Sequence, residues 1–329
     1  MTKEIDFVIT WVNGNDKDWL DKKNFYLNQE EKNKNFNNNG SNVRYRDYGT
    51  LKYLLRGIDK YATWVHKIYI ITDNQVPDWL NTKNKKIKII DHKDIINSKY
   101  LPVFNSNAIE WNIDNIANLS ENFVYFNDDM LLNRKVNSED FFKNDKPCDC
   151  RIYSDIIPTE DFYHIPLNNT ILINDYVKGN WPISKTGLVS LKNGIKQFTN
   201  LIFLLQAKKR GIPGYMQTHG PIPFSKNSFM QVKAIWKKEI ESTLKHRFRS
   251  LSDISIWLVR QFQLETGEFV PRKYDFDKIF SMGQFDAIKD CLEKSKSGTI
   301  CINDEEGIDP TNIIKVLNKK FPNKSIFEK

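Results

Sequence analysis

Cysteine is scarce in this sequence, with four among 329 residues. They form one close pair, Cys148 and Cys150, and one wider pair, Cys291 and Cys301. Neither spacing resembles a zinc-binding set or the dense disulfide framework of a small secreted domain. The sequence therefore argues against both kinds of scaffold, and a reducing cytoplasm fits it best.

Long hydrophobic runs are also lacking. No apolar stretch approaches the roughly 20 residues that a membrane-spanning helix needs. After Met1 and Thr2 come the charged residues Lys3 and Glu4 and then a strand-like run, so we expect no signal peptide. We therefore expect a cytoplasmic protein whose membrane contact is peripheral, at the inner face of the plasma membrane.

Nucleic-acid-binding motifs are missing too, as is a basic stripe interleaved with aromatic residues, so a nucleic-acid partner is not expected. The chain does carry a formal net charge of +8, with 40% hydrophobic and 13% aromatic residues. This composition supplies a sizeable core. The charge favours an anionic partner, such as a nucleotide sugar or acidic lipid headgroups.

Short runs rich in β-branched and aromatic residues predict buried strands, and segments with helical apolar spacing lie between them. Strands that alternate with helices indicate an α/β sandwich. Ligands of such sheets bind beyond the carboxyl ends of the strands, where this chain places polar residues, among them Asp73, Asn74, Gln75 and Asn127. The predicted strands are residues 5–12, 67–72, 87–91 and 123–126; the predicted helical segments are residues 48–61, 107–116, 229–244 and 253–266.

The strongest local signal is Asn127-Asp128-Asp129, because two carboxylates at the end of a buried strand project into the expected crevice. Hard oxygen ligands suit Mg²⁺ or Mn²⁺, and such an ion would neutralise a diphosphate. The alternative is a solvated turn, since Asn and Asp favour turns for local reasons. The motif alone leaves both interpretations open.

Three further clusters could bind phosphate or transfer a proton. Arg44 and Arg46 precede a predicted helix, His219 lies in a Gly-Pro loop, and Arg247 and Arg249 flank a phenylalanine. Arginine suits phosphate through its bidentate fork, and histidine suits general base catalysis near neutral pH. Each cluster taken singly is equally consistent with a solvent-exposed charged face or a surface histidine.

The residues of these motifs and their order along the chain resemble those of the Stealth family of phosphotransferases. The usual family form has aspartate at the place of Asn13, so a metal role at this position is in doubt. The segments that carry the resemblance are residues 5–14, residues 44–130 with Phe126-Asn127-Asp128-Asp129-Met130, the loop His219-Gly220-Pro221, and Arg247-Phe248-Arg249-Ser250 with Asp253.

The resemblance implies an enzyme of bacterial capsule or exopolysaccharide synthesis. It would transfer a hexose 1-phosphate, or an N-acetylhexosamine 1-phosphate, from a UDP-sugar to a hydroxyl of an oligosaccharide or polysaccharide acceptor that is expected to be lipid-linked. The products would be a phosphodiester and UMP. The main alternative is a metal-dependent glycosyltransferase, which has a similar fold but releases UDP.

The resemblance also implies roles for individual residues, because phosphoryl transfer needs a base, cations and a nucleotide platform. His219 is expected to be the base. Arg249 with Arg44 or Arg46 would contact the phosphoryl oxygens, and Asp128 and Asp129 would bind Mg²⁺ or Mn²⁺ or the donor phosphate. The expected substrate-binding residues are Trp11, Asn13, Gly14, Asp73, Asn74, Gln75, Asn105, Glu110, Asn127 and Arg247.

For the architecture we expect a three-layer α/β sandwich with a mostly parallel, mixed central sheet, similar to nucleotide-sugar transferases. Residues 1–260 would form the catalytic domain with all four motif segments. Residues 261–329 would form a helical or mixed C-terminal extension. Residues 148–200 predict long loops around a helix or two.

Overall fold

The structure, a computed structural model, describes residues 3–31 and 45–329. Strands and helices alternate through most of this range. The strands are β1 (Ile5–Thr10), β2 (Ile68–Thr72), β3 (Ile87–Asp91), β4 (Asn122–Asn127), β5 (Met130–Leu132), β6 (Phe142–Lys143), β7 (Lys146–Asp149), β8 (Ile222–Ser225), β9 (Val270–Pro271), β10 (Asp277–Ser281) and β11 (Thr299–Asn303). The helices are α1 (Lys17–Glu31), α2 (Thr50–Tyr61), α3 (His92–Ile95), α4 (Ser106–Glu110), α5 (His164–Val177), α6 (Gln197–Arg210), α7 (Lys226–Ile235), α8 (Lys237–Leu244), α9 (Trp257–Thr266), α10 (Phe285–Lys294) and α11 (Thr311–Lys320).

The central sheet has the strand order β3-β2-β1-β4-β8. Its first four strands are parallel, with Val8 of β1 opposite Tyr69 on one side and Tyr125 on the other. Strand β8 joins β4 antiparallel and makes the sheet mixed. The four predicted strands are therefore confirmed, and they form the parallel part of this sheet.

Side chains of β1 alternate between the two faces of the sheet, as the two-residue repeat of a strand requires. Phe7 and Ile9 enter a core cluster that also contains Leu54 of α2. Val8 enters a second cluster on the opposite face, together with Phe229 of α7. Helices thus cover both faces, and the predicted three-layer α/β sandwich is confirmed.

Helix α2 follows the predicted spacing, since Leu51, Leu54, Leu55 and Ile58 are all buried. The segment predicted over residues 107–116 is instead a short helix, α4, followed by a 3-10 turn at Ile113–Asn115. The stretch over residues 229–244 is split between α7 and α8 at Trp236, whose backbone is not helical.

The last part of the chain is mixed in structure and packs on the core beside the central sheet. Strands β10 and β11 are parallel, and β11 pairs antiparallel with β5, which directly follows Asp128 and Asp129. Ile302 and Leu317 belong to the same core cluster as Phe7. The boundary predicted after residue 260 lies within α9, so residues on both sides of it belong to one helix.

The region over residues 148–200 contains α5, the start of α6, and 3-10 turns at Asp161–Tyr163 and Leu191–Lys196. The expectation of loops around two helices matches this arrangement. All four cysteines are buried and free. Within the described parts of the chain, no helix has both the length and the apolar character needed to cross a membrane.

Candidate active site

Two adjoining cavities open at the carboxyl ends of β1 and β4, where the strand rule predicts a ligand site. The larger cavity has a volume of about 640 Å³ and the smaller one about 240 Å³. The residues common to both walls form what we term the shared floor. The shared floor consists of Arg46, Ser106, Glu110, Asn127, Asp128, Asp129 and Arg249.

Asp128 and Asp129 occupy the turn between β4 and β5. The buried apolar run of β4 fixes where this turn begins, and pairing of β5 with β11 fixes where it ends. Asp129 Oδ2 accepts a hydrogen bond from Cys301 Sγ at 3.4 Å. The other carboxylate oxygen, Oδ1, is buried and has no hydrogen-bond partner.

The environment of these carboxyl groups disfavours their ionised forms. Burial, followed by the nearby charges of Asp129 and Asp47, raises the pKa of Asp128 well above its usual range. Burial raises the pKa of Asp129 to about 6. A divalent cation in this turn would reverse both effects, because it stabilises the carboxylate forms.

A metal at this turn would need ligands beyond the protein. Among residues 3–31 and 45–329, no three or more His, Cys, Asp or Glu side chains are grouped so that they could hold an ion. The unpartnered oxygen of Asp129 and the raised pKa values of the pair nevertheless fit Mg²⁺ or Mn²⁺. Mg²⁺ is commonly held by one or two carboxylates together with substrate phosphates.

The two described arginines of the shared floor are held in different ways. Arg46 Nε donates to Asp304 Oδ2 at 2.7 Å, and its Nη2 contacts the other oxygen of the same carboxylate. Arg249 Nη2 donates to Ser106 Oγ at 2.7 Å. Arg46 is thus paired directly with a carboxylate, whereas Arg249 is held by the neutral hydroxyl of Ser106. Arg44 lies outside the described residues.

Glu110 of the shared floor and Tyr125 form a buried polar pair. Tyr125 Oη lies 3.0 Å from Glu110 Oε1, 2.7 Å from Asn127 Oδ1 and 2.9 Å from Thr10 Oγ1. Burial raises the pKa of Glu110 to about 7, and the charge of Arg249 opposes this rise. Glu110 is thus a carboxyl group that titrates near neutral pH inside the cleft.

His219 stands in the wall of the larger cavity beside Trp257 and Phe162, with ring centroids 5.3 and 6.2 Å away. Its backbone φ of 43° is in the left-handed region that side-chain-bearing residues rarely adopt. Burial, and then the charge of Arg260, lowers the pKa of His219 to about 4. The imidazole is therefore neutral at pH 7, as a base must be, but it does not titrate near neutrality.

The smaller cavity has an aromatic wall made by Trp11, Trp19, Tyr45 and Phe104. Trp19 lies 5.2 Å from Tyr45 and 5.6 Å from Phe104 between ring centroids. Trp11 Nε1 donates to Asp47 Oδ2 at 3.2 Å. A flat aromatic wall beside a polar floor suits a nucleobase and its phosphates.

Several predicted substrate-binding residues line neither cavity. They instead support the segments that form the cavity walls. Gly14 donates its backbone N–H to the carbonyl of Tyr45 at 2.9 Å, and a Cβ at Gly14 would overlap that carbonyl. Asn13 and Gln75 bond each other: the Asn13 N–H donates to Gln75 Oε1, and Gln75 Nε2 donates to the Asn13 carbonyl. Asp73 accepts from Lys22 Nζ at 2.6 Å.

Three more predicted substrate-binding residues line neither cavity, and the structure gives each of them a structural role. Asn74 has a φ of 56°, which marks a tight turn. Asn105 is fully buried, and its Nδ2 donates to Asp253 Oδ2 at 2.8 Å, which fixes the loop that carries Arg249. Arg247 Nε donates to the carbonyl of Pro102 at 2.8 Å, and its guanidinium stacks over Tyr26.

The cleft also contains residues that the sequence did not single out. Tyr125 was not predicted because its sequence context is that of a core residue in a strand. Asp304 was not predicted because it lies far along the chain from Arg46. Trp257 and Phe162 come from segments without a recognisable motif. Only the aromatic character of Trp257 and Phe162 could have suggested a sugar-contacting wall.

Comparisons with known proteins identify the same family at three separate places along the chain. Three family models match: Stealth protein CR1, conserved region 1, over residues 3–31; Stealth protein CR2, conserved region 2, over residues 44–149; and Stealth protein CR3, conserved region 3, over residues 218–260. These ranges include every residue of the shared floor.

Full-length relatives have closely related names. The chain is 39% identical to exopolysaccharide phosphotransferase cps2G of Lactiplantibacillus plantarum, over 99% of this chain and 96% of the relative. It is 38% identical to capsular polysaccharide phosphotransferase WcwK of Streptococcus pneumoniae, over 99% and 98%. It is 36% identical to receptor polysaccharide phosphotransferase WefC of Streptococcus gordonii, over 100% of both chains.

A solved structure with similarity to the chain is the apo-form glycosyltransferase GlyE of Streptococcus pneumoniae, with a TM-score of 0.41 and 9% identity. The similarity covers 98% of this chain and 65% of that chain.

Proposed function

The chain belongs to the Stealth family and is a transferase of phosphorus-containing groups, and on this premise we propose that it transfers a sugar 1-phosphate from a UDP-sugar to a polysaccharide hydroxyl. The sugar would be a hexose or an N-acetylhexosamine. The new bond would be a phosphodiester, and UMP would leave. The setting is the synthesis of a bacterial capsule or exopolysaccharide, as the names of the relatives indicate.

The observation that carries this proposal is the shared floor, where two cavities of different character meet over Arg46, Arg249, Asp128 and Asp129. A UDP-sugar has a flat base, a diphosphate and a sugar. The aromatic wall of the smaller cavity suits the base, the charged floor suits the diphosphate, and the larger cavity has room for the sugar and the acceptor.

In the proposed reaction an acceptor hydroxyl oxygen forms a bond to the phosphorus next to the donor sugar. The bond from this phosphorus to the bridging oxygen breaks, and the electron pair leaves with UMP. The hydroxyl proton goes to a base, for which His219 is our assignment. Arg249 and Arg46 lie where they would contact phosphoryl oxygens, and such fixed charges act mainly by stabilising the transition state.

His219 is neutral at pH 7 but is a weak base, because burial and then the charge of Arg260 lower its pKa. A bound diphosphate would add negative charge to the same cavity and raise the pKa of the imidazole, which would strengthen the base. Glu110, whose pKa is about 7, is the competing candidate because it lies on the shared floor.

Asp128 and Asp129 are the residues that we propose would hold Mg²⁺ or Mn²⁺, together with the donor phosphates. When bound, the cation would neutralise the diphosphate and polarise its phosphoryl oxygens. The carboxylates themselves would accept hydrogen bonds from hydroxyl groups of the donor and so orient it at the junction of the two cavities.

We further propose that the acceptor is lipid-linked and that the enzyme works in the cytoplasm, at the inner face of the plasma membrane. The four free, buried thiols support a reducing compartment. This setting would bring the enzyme to its acceptor without requiring a segment that crosses the bilayer.

The competing function is a glycosyltransferase that breaks the bond between the sugar and its oxygen and releases UDP. Purified protein should be incubated with a panel of UDP-sugars and a candidate oligosaccharide, and the products read by mass and by phosphorus NMR. We expect UMP and a new phosphodiester resonance. Release of UDP in step with product, without phosphorus in the new linkage, would replace our proposal by the glycosyltransferase.

A further inference from the structure

Helix α6 and the 3-10 turn before it expose an apolar face. Within α6, Phe198, Leu201, Ile202 and Leu205 follow the spacing of a single helical face, and all four are exposed. Leu191 extends this face into the 3-10 turn with 92% of its surface exposed, and Leu205 is 86% exposed. Soluble proteins rarely expose so many large apolar side chains on one face, and such patches commonly mark interaction sites.

The opposite side of the segment is firmly attached to the protein. Asn200 is fully buried; its Nδ2 donates to the Arg151 carbonyl at 2.8 Å, and its Oδ1 accepts from the Tyr153 N–H at 2.8 Å. Asn193 Nδ2 also donates to the Arg151 carbonyl, at 3.1 Å. Phe203 and Leu204 pack against the second core cluster. The apolar face is therefore presented by an anchored segment.

The longer stretch of chain that includes this segment is rich in positive charge. Residues 178–210 contain six lysines and one arginine and no aspartate or glutamate, whereas the whole chain has a net charge of +8. Lys192 and Lys196 alternate with Leu191 and Ile195 along the 3-10 turn, and all of these side chains are exposed. Apolar and cationic groups thus share one surface.

We infer that this surface, formed by the 3-10 turn Leu191–Lys196 and the exposed face of α6, binds an anionic lipid bilayer. Exposed leucine, isoleucine and phenylalanine side chains would enter the boundary between headgroups and acyl chains, and the lysines would contact anionic headgroups. A second copy of the chain fits less well, because each copy would present exposed Lys192 and Lys196 from a stretch, residues 178–210, without acidic residues, and like charges repel. The inference adds a site to the proposed function and does not depend on the chemistry.

The test is flotation of the purified chain with two kinds of vesicle, one of phosphatidylcholine with phosphatidylglycerol and one of phosphatidylcholine alone. We expect binding to the anionic vesicles that weakens at high salt. The double variant Phe198→Ser with Ile202→Ser should lower the partition coefficient at least about tenfold, because it removes two apolar anchors. Lys192→Glu with Lys196→Glu should lower it by a similar factor on anionic vesicles only.

A matched control changes exposed residues of the same types elsewhere. Phe25 and Ile326 are 58% and 57% exposed, against 60% and 54% for Phe198 and Ile202. Phe25→Ser with Ile326→Ser should leave flotation unchanged, and circular dichroism should show that all variants keep the wild-type fold. Equal loss in this control and in the Phe198 variant would mean that the surface is not the binding site.

Two other results would also overturn the inference. One is the failure of the wild-type chain to float with anionic vesicles. The other is a dimer in sedimentation equilibrium that becomes a monomer in the Phe198→Ser, Ile202→Ser variant, since a second copy would then cover the face. Transfer to a short, lipid-free acceptor measures the proposed chemistry separately, so failure of one idea does not decide the other.

Discussion

Replacing Arg249 by alanine gives the sharpest test of the shared floor. Arg249 is fixed by Ser106 Oγ at 2.7 Å and lies on the walls of both cavities, where the donor phosphates would meet the acceptor. Loss of one preorganised donor of this kind costs about 10²–10³ in kcat, or about 2.7–4 kcal/mol of transition-state stabilisation. We expect a loss in this range, with a smaller change in KM.

The same substitution should also change the pH dependence. The charge of Arg249 holds down the pKa of Glu110, which is about 7 because the carboxyl group is buried. Without Arg249 this pKa rises, so the carboxylate form is lost at a higher pH as the solution is acidified. The acidic limb of the kcat profile should therefore move to higher pH in Arg249→Ala if it reports Glu110.

The assay is UMP release at saturating UDP-sugar across the neutral range, with Arg247→Ala as the matched control. Arg247 is two residues away, but it bonds the carbonyl of Pro102 and lines neither cavity. Its loss should lower stability while kcat stays near the wild-type value. Arg249→Lys should be intermediate, because lysine keeps the charge but not the bidentate fork. Equal kcat losses in both alanine variants would refute the role given to Arg249.

Three further results follow from the structure. Asp129→Asn should lower transfer sharply, and EDTA should abolish wild-type activity until Mg²⁺ or Mn²⁺ is added; full activity in chelator would exclude the metal assignment. His219→Ala should lower kcat about 10²–10⁴-fold. An acidic limb near pH 7 should remain, because the buried Glu110 titrates there; disappearance of the limb would show that the imidazole titrates there. Gly14→Ala should lower the free energy of unfolding in urea by about 1–3 kcal/mol, because the added Cβ would overlap the Tyr45 carbonyl. Gly57→Ala should not, since a Cβ at Gly57 would make ordinary contacts at 3.5 Å. Equal stability of both variants would contradict the close approach of Gly14 to Tyr45.

The parts of the fold that could be predicted depend on local patterns. Strands β1 to β4 are short apolar runs with polar ends, and the rule for parallel sheets places Asp128 and Asp129 at the crevice. The same rule placed Asp73 and Gln75 there as well. It cannot tell a side chain that reaches a ligand from one that bonds its neighbour, as Gln75 does with Asn13.

The rest of the site depends on contacts between distant segments. No local pattern in the sequence indicates that Asp304 will hold Arg46, or that Asn105 will bond Asp253. The pKa of His219 could not be predicted for the same reason. Its lowering requires burial and the charge of Arg260, and both depend on the folded structure.

The pairing of β11 with β5 has a consequence for synthesis of the protein on the ribosome. The parallel strands β1 to β4 are complete once residue 127 has emerged, but the two carboxylates that follow receive their surroundings from residues 301–304. A nascent chain can therefore pair these strands long before it can bind a donor. Contacts of such long sequence separation form late and slowly. Until they form, the turn is held on one side only, and we expect a partly synthesised chain to lack the arrangement that the proposed donor site requires.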